Sequence, residues 1–298
     1  MSDLLAAVVQ TRERFLDLVA EVRPDLHRYC ARMTGSVFDG EDVVQDTLAK
    51  AYFALAEMAS PPPLRPWLFR IAHNAAMDFL RRRDHRLVVA TDDIDHIADR
   101  DGDGDGDGPE PDGERVEHAL RVFAALPPVQ RSALALKDVV GLSLEECAET
   151  MGVSVLAVKA ALVRARANLE RSEMPPAPGP DDLARLRHYA ALFNARDWDG
   201  LRALFGDETR LDVVSRYQRR GPPAASYFHA YAERAPGEDL RAAVGWVDGV
   251  PVLAMFRPAT SERPAYFVRI DWRGDGITQV RDFRYIPYIA HEATFTPA

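Results

Sequence analysis

Gly141-Leu-Ser-Leu-Glu-Glu-Cys-Ala-Glu-Thr-Met-Gly-Val-Ser-Val-Leu-Ala-Val-Lys-Ala-Ala-Leu-Val-Arg-Ala-Arg166 is the stretch on which the reading of this chain turns. Ser143 with Glu146 three residues later is the signature of a reciprocal cap that starts a short helix. Ala148 is small where a second helix must cross closely. Met151-Gly152-Val153 supplies a tight turn, and Ser154 caps a second helix that turns Val158 and Leu162 inward. That helix presents Lys159, Arg164 and Arg166 outward, with the chemistry to meet phosphates or base edges in a major groove. The competing reading is a plain helical hairpin with solvated basic residues.

Working outward, the 298 residues suit two or three domains. With 47% hydrophobic and 28% charged residues the composition is that of a soluble protein. No apolar run is long enough to span a bilayer. The start Met1-Ser-Asp-Leu-Leu lacks the basic opening and cleavage site of a signal peptide, so a cytoplasmic location is expected. Cys30 and Cys147 fall in amphipathic patterns and read as buried reduced thiols. The eight histidines are scattered, and no metal or other cofactor is expected.

A net charge of −9 argues against a nucleic-acid partner until it is located. Residues 87–118 hold twelve acids against Arg100 and Arg115, a net −10, so the remainder sums to +1. Within that stretch Asp-Gly repeats oppose packing, and 87–115 reads as a flexible acidic linker. Asp99, Asp101, Asp103, Gly104 and Glu110 formally satisfy a calcium-loop pattern. Gly106 stands where an aliphatic residue belongs and no flanking helix pair exists, so calcium binding is rejected.

Residues 4–58 read as helical, with a break near Thr34-Gly35 and a fresh start at Asp39-Gly40. Three prolines at 61–63 stop that run. An amphipathic helix follows from Leu64 to about Arg83, with Trp67, Leu68, Ile71, Ala75, Phe79 and Leu80 at three- and four-residue steps. Helices resume near Val116 and run to Arg171. A proline-rich linker at 174–180 precedes a segment of different character. There, helices at 182–195 and 198–205 lead to a strand near 209–214 and a helix at 224–235. Alternating runs follow at 241–248, 250–257, 264–273 and 277–285, with turns at Asp248-Gly249 and Asp275-Gly276. This predicts an α+β domain with a mostly antiparallel curved sheet.

The residues Ala125-Leu-Pro-Pro-Val-Gln-Arg131, Gly141–Ala148, Gly152–Lys159 and Arg164-Ala-Arg166 resemble the −35-reading domain of the extracytoplasmic-function group of RNA polymerase sigma factors. Asp42-Val-Val-Gln-Asp46 is similar to that family's polymerase-binding helix. Trp67-Leu-Phe-Arg-Ile-Ala-His-Asn-Ala-Ala-Met-Asp78 with Arg81-Arg-Arg83 is similar to its −10-reading helix. The matches cover residues 10–171 in consistent order and spacing. The resemblance implies two all-α domains, 1–86 and 116–173, whose partners are core RNA polymerase and promoter DNA. It places Asp42, Gln45 and Asp46 against polymerase and Asn74 at a flipped base. Arg70, Arg81, Arg82 and Arg83 fall on phosphates, and Ser154, Lys159, Val163, Arg164 and Arg166 on DNA from the second helix. Ordinary solvated helix surface, and local capping by Asn74, are the competing readings.

This sequence departs from the family in places. Ala160 and Ala161 stand where Ser-Arg is common, removing a guanidinium from base reading. Met58 and the prolines replace the usual residues of the loop before the −10 helix. The final segment, 181–298, resembles the SnoaL-like cone-shaped α+β group through Tyr189–Phe205. On that resemblance the domain is a fused regulator, with a small-molecule ligand as a candidate partner. No acid–base pair for catalysis is placed, so the chain is not read as an enzyme. Arg269 and Asp271 read as a surface pair, and Asp212 and Asp282 as solvated in preference to pocket residues. The alternatives are a ligand-sensing helix-turn-helix regulator and a sigma factor whose last domain retains isomerase or hydrolase activity.

Overall fold

The computed structural model describes residues 19–58, 62–84, 122–171, 181–234, 239–274 and 276–298. The acidic linker, its calcium-loop pattern and the proline-rich linker at 174–180 lie outside them. The chain divides into two units, and the described residues up to 171 belong to the first.

Helix α1 is described over residues 19–34. It ends because Gly35 takes φ +77, and a Cβ there would stand 2.8 Å from Ala124 Cβ. Ser36 then caps helix α2, Val37–Glu57, by accepting from Asp39 N–H at 3.3 Å. The restart therefore falls two residues before the expected Asp39-Gly40. Gly40 instead lets α1 and α2 touch, since a Cβ would lie 2.6 Å from the Ala31 backbone. Helix α3, Leu64–Asp84, packs on α2 and buries Leu68, Phe69, Ala72, Ala76 and Leu80 in the core.

After the linker come α4 (described over 122–125), α5 (Pro128–Leu134) and a wider π turn, Ala135–Val139. Helices α6 (Leu144–Met151) and α7 (Val155–Arg171) follow. Ser143 and Glu146 form the reciprocal cap in full, and Gly152 closes α6 in the left-handed conformation at φ 68. Ser154 Oγ accepts from Ala157 N–H at 3.2 Å and starts α7. The helices before and after the linker share one continuous core, with Leu26, Phe69 and Ala76 in the same cluster as Leu136, Val158 and Leu162.

The second unit begins with α8 (Asp181–Asn194) and α9 (Trp198–Ala203). Strands β1 (Phe205–Val213) and β2 (Tyr217–Arg220) precede short helices α10 (Pro222–Ala225) and α11 (Tyr227–Arg234). Then come β3 (Arg241–Val247), β4 (Val250–Phe256), β5 (Tyr266–Arg273), β6 (Gly276–Asp282), α12 (Pro287–Glu292) and β7 (Thr296–Pro297). The sheet order is β2-β1-β6-β5-β4-β3-β7.

This sheet is mixed, which corrects the expectation of a mostly antiparallel one. Strand β1 runs parallel to β6, with Leu211 opposite Val280 and Asp212 opposite Arg281. The hairpin-spaced strands after residue 240 pair with one another as expected. The first strand reaches them from a distance in sequence, a pairing that local alternation does not reveal. Phe205 enters β1 and so shortens α9, and the helix expected at 224–235 is split near Ser226.

The Asp248-Gly249 turn has φ of 52 and 73, the paired positive values that match strand twist in a two-residue hairpin. Leu186, Tyr189 and Phe193 of α8, with Phe228 and Tyr231 of α11, pack on Leu211, Leu253, Val268, Ile270 and Val280 from one face of the sheet. In β5, Tyr266, Val268 and Ile270 are buried on one face and Trp272 is half-buried, but Phe267 is buried too, beside the Phe295 ring at 6.1 Å. Its N-terminal half is therefore covered on both faces.

Candidate nucleic-acid interface

Helix α3 divides its surface by period. Leu68, Phe69, Ala72, Ala75, Ala76 and Leu80 are buried, which leaves Arg70, Asn74 and Arg81 exposed along a stripe at four- and seven-residue intervals. Arg82 and Arg83 extend the exposed basic end, in the last turn where cations also suit the helix dipole. Arg81 pairs with Asp78, and Arg82 Nε donates to the Asp78 carbonyl at 3.3 Å. Arg83 lies 3.7 Å from Asp39 and donates to the Thr34 carbonyl at 3.5 Å. Such exposed pairs contribute about 0–1 kcal/mol, so a phosphate can displace them.

Asp42, Gln45 and Asp46 sit half-buried on α2. Gln45 Nε2 donates to Glu41 Oε1 at 3.3 Å, and Lys50 pairs with Asp46 at 2.7 Å. Asp42 and Asp46 line a groove of about 550 Å³ together with Asp39, Phe79, Arg82 and Arg83. Packing of α2 on α3 thus brings the candidate polymerase-binding acids beside the candidate phosphate-binding arginines. Asp39 and Phe79 were read from sequence only as a helix start and an apolar helix position, and Phe53, which is 70% exposed beside exposed Tyr52, was not read at all. An aromatic pair on the polar side of α2 was the available signal.

On α7, Val158, Ala161, Leu162 and Ala165 face the core, and Lys159, Val163, Arg164 and Arg166 are exposed. Ser154 is exposed as well, although its hydroxyl is engaged in the cap. Arg166 reaches Asp138 at 3.4 Å and so is not purely outward. Ala161 is 0% exposed, which corrects the weight placed on it. A missing side chain at 161 is absent from the buried side of α7, not from the open face. Leu156, 76% exposed on the first turn, was overlooked. With Val163 it gives the open face apolar groups suited to thymine methyls.

Beneath these faces lies a buried polar junction. Tyr29 Oη lies 2.9 Å from both His73 Nδ1 and Ser132 Oγ, and His73 Nδ1 lies 3.0 Å from Ser132 Oγ. Burial pushes the His73 imidazole down to about 4, so it is neutral. Arg131, buried beside them, donates to the carbonyls of Met33 at 2.5 Å, Leu126 at 2.9 Å and Ala124. It gathers carbonyl groups from α1 and from the α4–α5 connection around one cation.

Cys30 and Cys147 are buried and free, as read, and burial raises the Cys147 thiol to about 11. Among the described residues no cluster of His, Cys, Asp and Glu could hold a metal, and no helix is long and apolar enough to cross a membrane. In the second unit Arg269 and Asp271 pair at 3.2 Å, as expected of a surface pair. Asp212 pairs with Arg281 at 3.6 Å.

Asp282 overturns its solvated reading, because it is 0% exposed. Its carboxylate accepts from Tyr227 Oη at 2.5 Å and from Arg284 N–H at 2.8 Å. Tyr227, Tyr231 and Tyr266 continue a hydroxyl chain at 3.0 and 3.1 Å, ending at Arg284 at 3.2 Å. Burial outweighs these hydrogen bonds and raises Asp282 to about 6.

Known proteins match both helical segments. The Sigma-70 region 2 profile matches residues 18–86, and that of Sigma-70 region 4 matches residues 119–169. The chain is 30% identical over 305 residues to the ECF RNA polymerase sigma factor SigG of Mycobacterium tuberculosis, across 91% of this chain and 82% of that one. It is 31% identical to SigM of the same organism, across 57% of this chain and 83% of that protein. The crystal structure of the M. tuberculosis factor SigJ aligns over 90% of this chain and 95% of its own, at 20% identity and a TM-score of 0.36. With both sigma regions in order and a 30% identical relative matched over most of its length, the chain belongs to the ECF family of RNA polymerase sigma factors.

Proposed function

We propose that this chain directs core RNA polymerase to promoters. In this reading α3 reads the −10 element through Asn74, with Arg70 and Arg81–Arg83 on phosphates. Helix α7 reads the −35 element through Leu156, Lys159, Val163 and Arg164, with Ser154 and Arg166 at its margins. Asp42, Gln45 and Asp46 meet basic groups of the polymerase. The observation that carries the proposal is the pairing, in one chain, of two exposed basic helix faces. A simple helix-turn-helix regulator requires only the second.

The second unit is, in this proposal, a SnoaL-like domain that tunes the sigma regions. A ligand could act there only by binding one arrangement better than another. Run-off transcription with core polymerase, using the full chain and a form ending near Pro175, tests both claims. A promoter-dependent transcript from the full chain is expected, with altered yield from the shorter form. Absence of any such transcript from either refutes the sigma reading. Equal yield from both refutes the regulatory role.

A further inference from the structure

Residues 210–220 hold four arginines against one acid, Asp212. The β1–β2 register places Arg210 directly opposite Arg220. Like charges in that position destabilise a strand pair, so folding alone does not account for them. Glu208 answers Arg220 at 2.6 Å, and Asp212 is held by Arg281 at 3.6 Å. The Arg210 guanidinium has no hydrogen-bond or ion-pair partner among the described residues. Arg219 donates to Ser226 Oγ, and its guanidinium lies 4.8 Å from the centre of the exposed Tyr217 ring.

Arg210, Arg219 and Arg220, with Gln218 and Gln279, line an open groove of about 450 Å³. All four residues of the edge strand β2 are exposed. An enclosed, mostly apolar cavity would suit a small organic ligand. This surface is the opposite: open, polar and rich in forked donors that match phosphate oxygens. The ten Cα–Cα steps from the end of α7 at Arg171 to the start of α8 at Asp181 span at most about 36 Å, close to one turn of duplex. On the sigma reading, this tether makes the encounter of the groove with DNA held by α7 an intramolecular one, which raises its effective concentration.

We propose that the β1–β2 groove binds the phosphate backbone of duplex DNA upstream of the −35 element. This rests on the sigma reading above. The test measures promoter binding by the complex of the full chain with core polymerase, on duplexes ending at the −35 element or extended 20 base pairs upstream. Extension is expected to tighten the wild-type complex.

The triple variant Arg210→Ala, Arg219→Ala, Arg220→Ala is expected to lose that gain. The slope of log affinity against log salt should flatten by about 2.7, which is about a 40-fold difference between 50 and 200 mM salt. Lysine at the three positions is expected to retain most of the slope. Arg210→Ala alone removes one of two opposed like charges without cost to the sheet, and is expected to flatten the slope by about 0.9. A wild-type complex indifferent to extension, or a triple variant with the full slope and full gain, overturns the inference and leaves the sigma reading standing. Failure of the wild-type complex to form on either duplex overturns both.

Discussion

Asp282 offers a stability test whose sign and size follow from its surroundings. The carboxyl is fully buried, and burial raises it from 3.8 to about 6 despite hydrogen bonds from Tyr227 Oη and Arg284 N–H. Between those two pH values the folded chain holds a proton that the unfolded chain has released. Stability contributed by this group is therefore full below pH 4 and declines as pH rises to about 6. The gap between 3.8 and about 6 corresponds to about 3 kcal/mol.

Asp282→Asn cannot ionise and should remove this component. Urea unfolding followed by tryptophan fluorescence is a suitable assay, because Trp198, Trp246 and Trp272 all lie in the second unit. Trp198 also stacks 6.0 Å from Tyr231, one ring of the network. The wild-type minus variant difference isolates Asp282 from other carboxylates titrating in the same window. It should fall by about 2 kcal/mol from pH 4 to pH 6.5 and level off above pH 7. A difference that is flat, or that rises with pH, refutes the account of a carboxylate buried at a cost.

The first unit should respond in the opposite direction. His73 is depressed from 6.5 to about 4 by burial, so its contribution is full above pH 6.5 and is lost as pH falls toward 4, by about 3 kcal/mol. His73→Gln should flatten that decline, read from Trp67 in a chain lacking the other tryptophans. Arg131→Met strips buried carbonyls of a charged donor and should lower the stability of the first unit by about 2–4 kcal/mol in urea titrations, after allowing for the desolvation the arginine no longer suffers. Ser143→Ala breaks the reciprocal cap of α6 and should cost about 1 kcal/mol by thermal melting. Lys159→Ala should weaken binding to a promoter carrying the −35 element more than to one lacking it, by about 1–3 kcal/mol. A loss alike across sequences, with the salt slope reduced by about 1, would instead make Lys159 a phosphate contact.

Much of the architecture was legible from the chain. The cap residues Ser143, Glu146 and Ser154, the left-handed Gly152 and the period of α3 each act over a few residues, where local hydrogen bonding and steric limits dominate. Burial within a helix was less legible. Ala161 and Leu156 differ in exposure because of where α7 meets its neighbours, and neither residue type declares that. Phe267 is covered because Phe295 and α12 close over β5 from nearly thirty residues away.

By itself, the sequence determined the helix-turn-helix, the amphipathic helix from Leu64 to about Arg83, the segregation of acidic charge into residues 87–118 and the change to an α+β segment after residue 180. These follow from periodicity, capping and composition, all of which are local. Only the tertiary structure decided that β1 runs beside β6, that Asp282 is buried among tyrosines, and that Arg210 and Arg220 oppose each other on an open groove. The same holds for the junction of Tyr29, His73 and Ser132, which joins residues 44, 59 and 103 positions apart. The physical reason is that burial, pairing and charge environment are set by contacts between distant segments. A hydroxyl, an imidazole or a guanidinium acquires its role from what the fold places next to it.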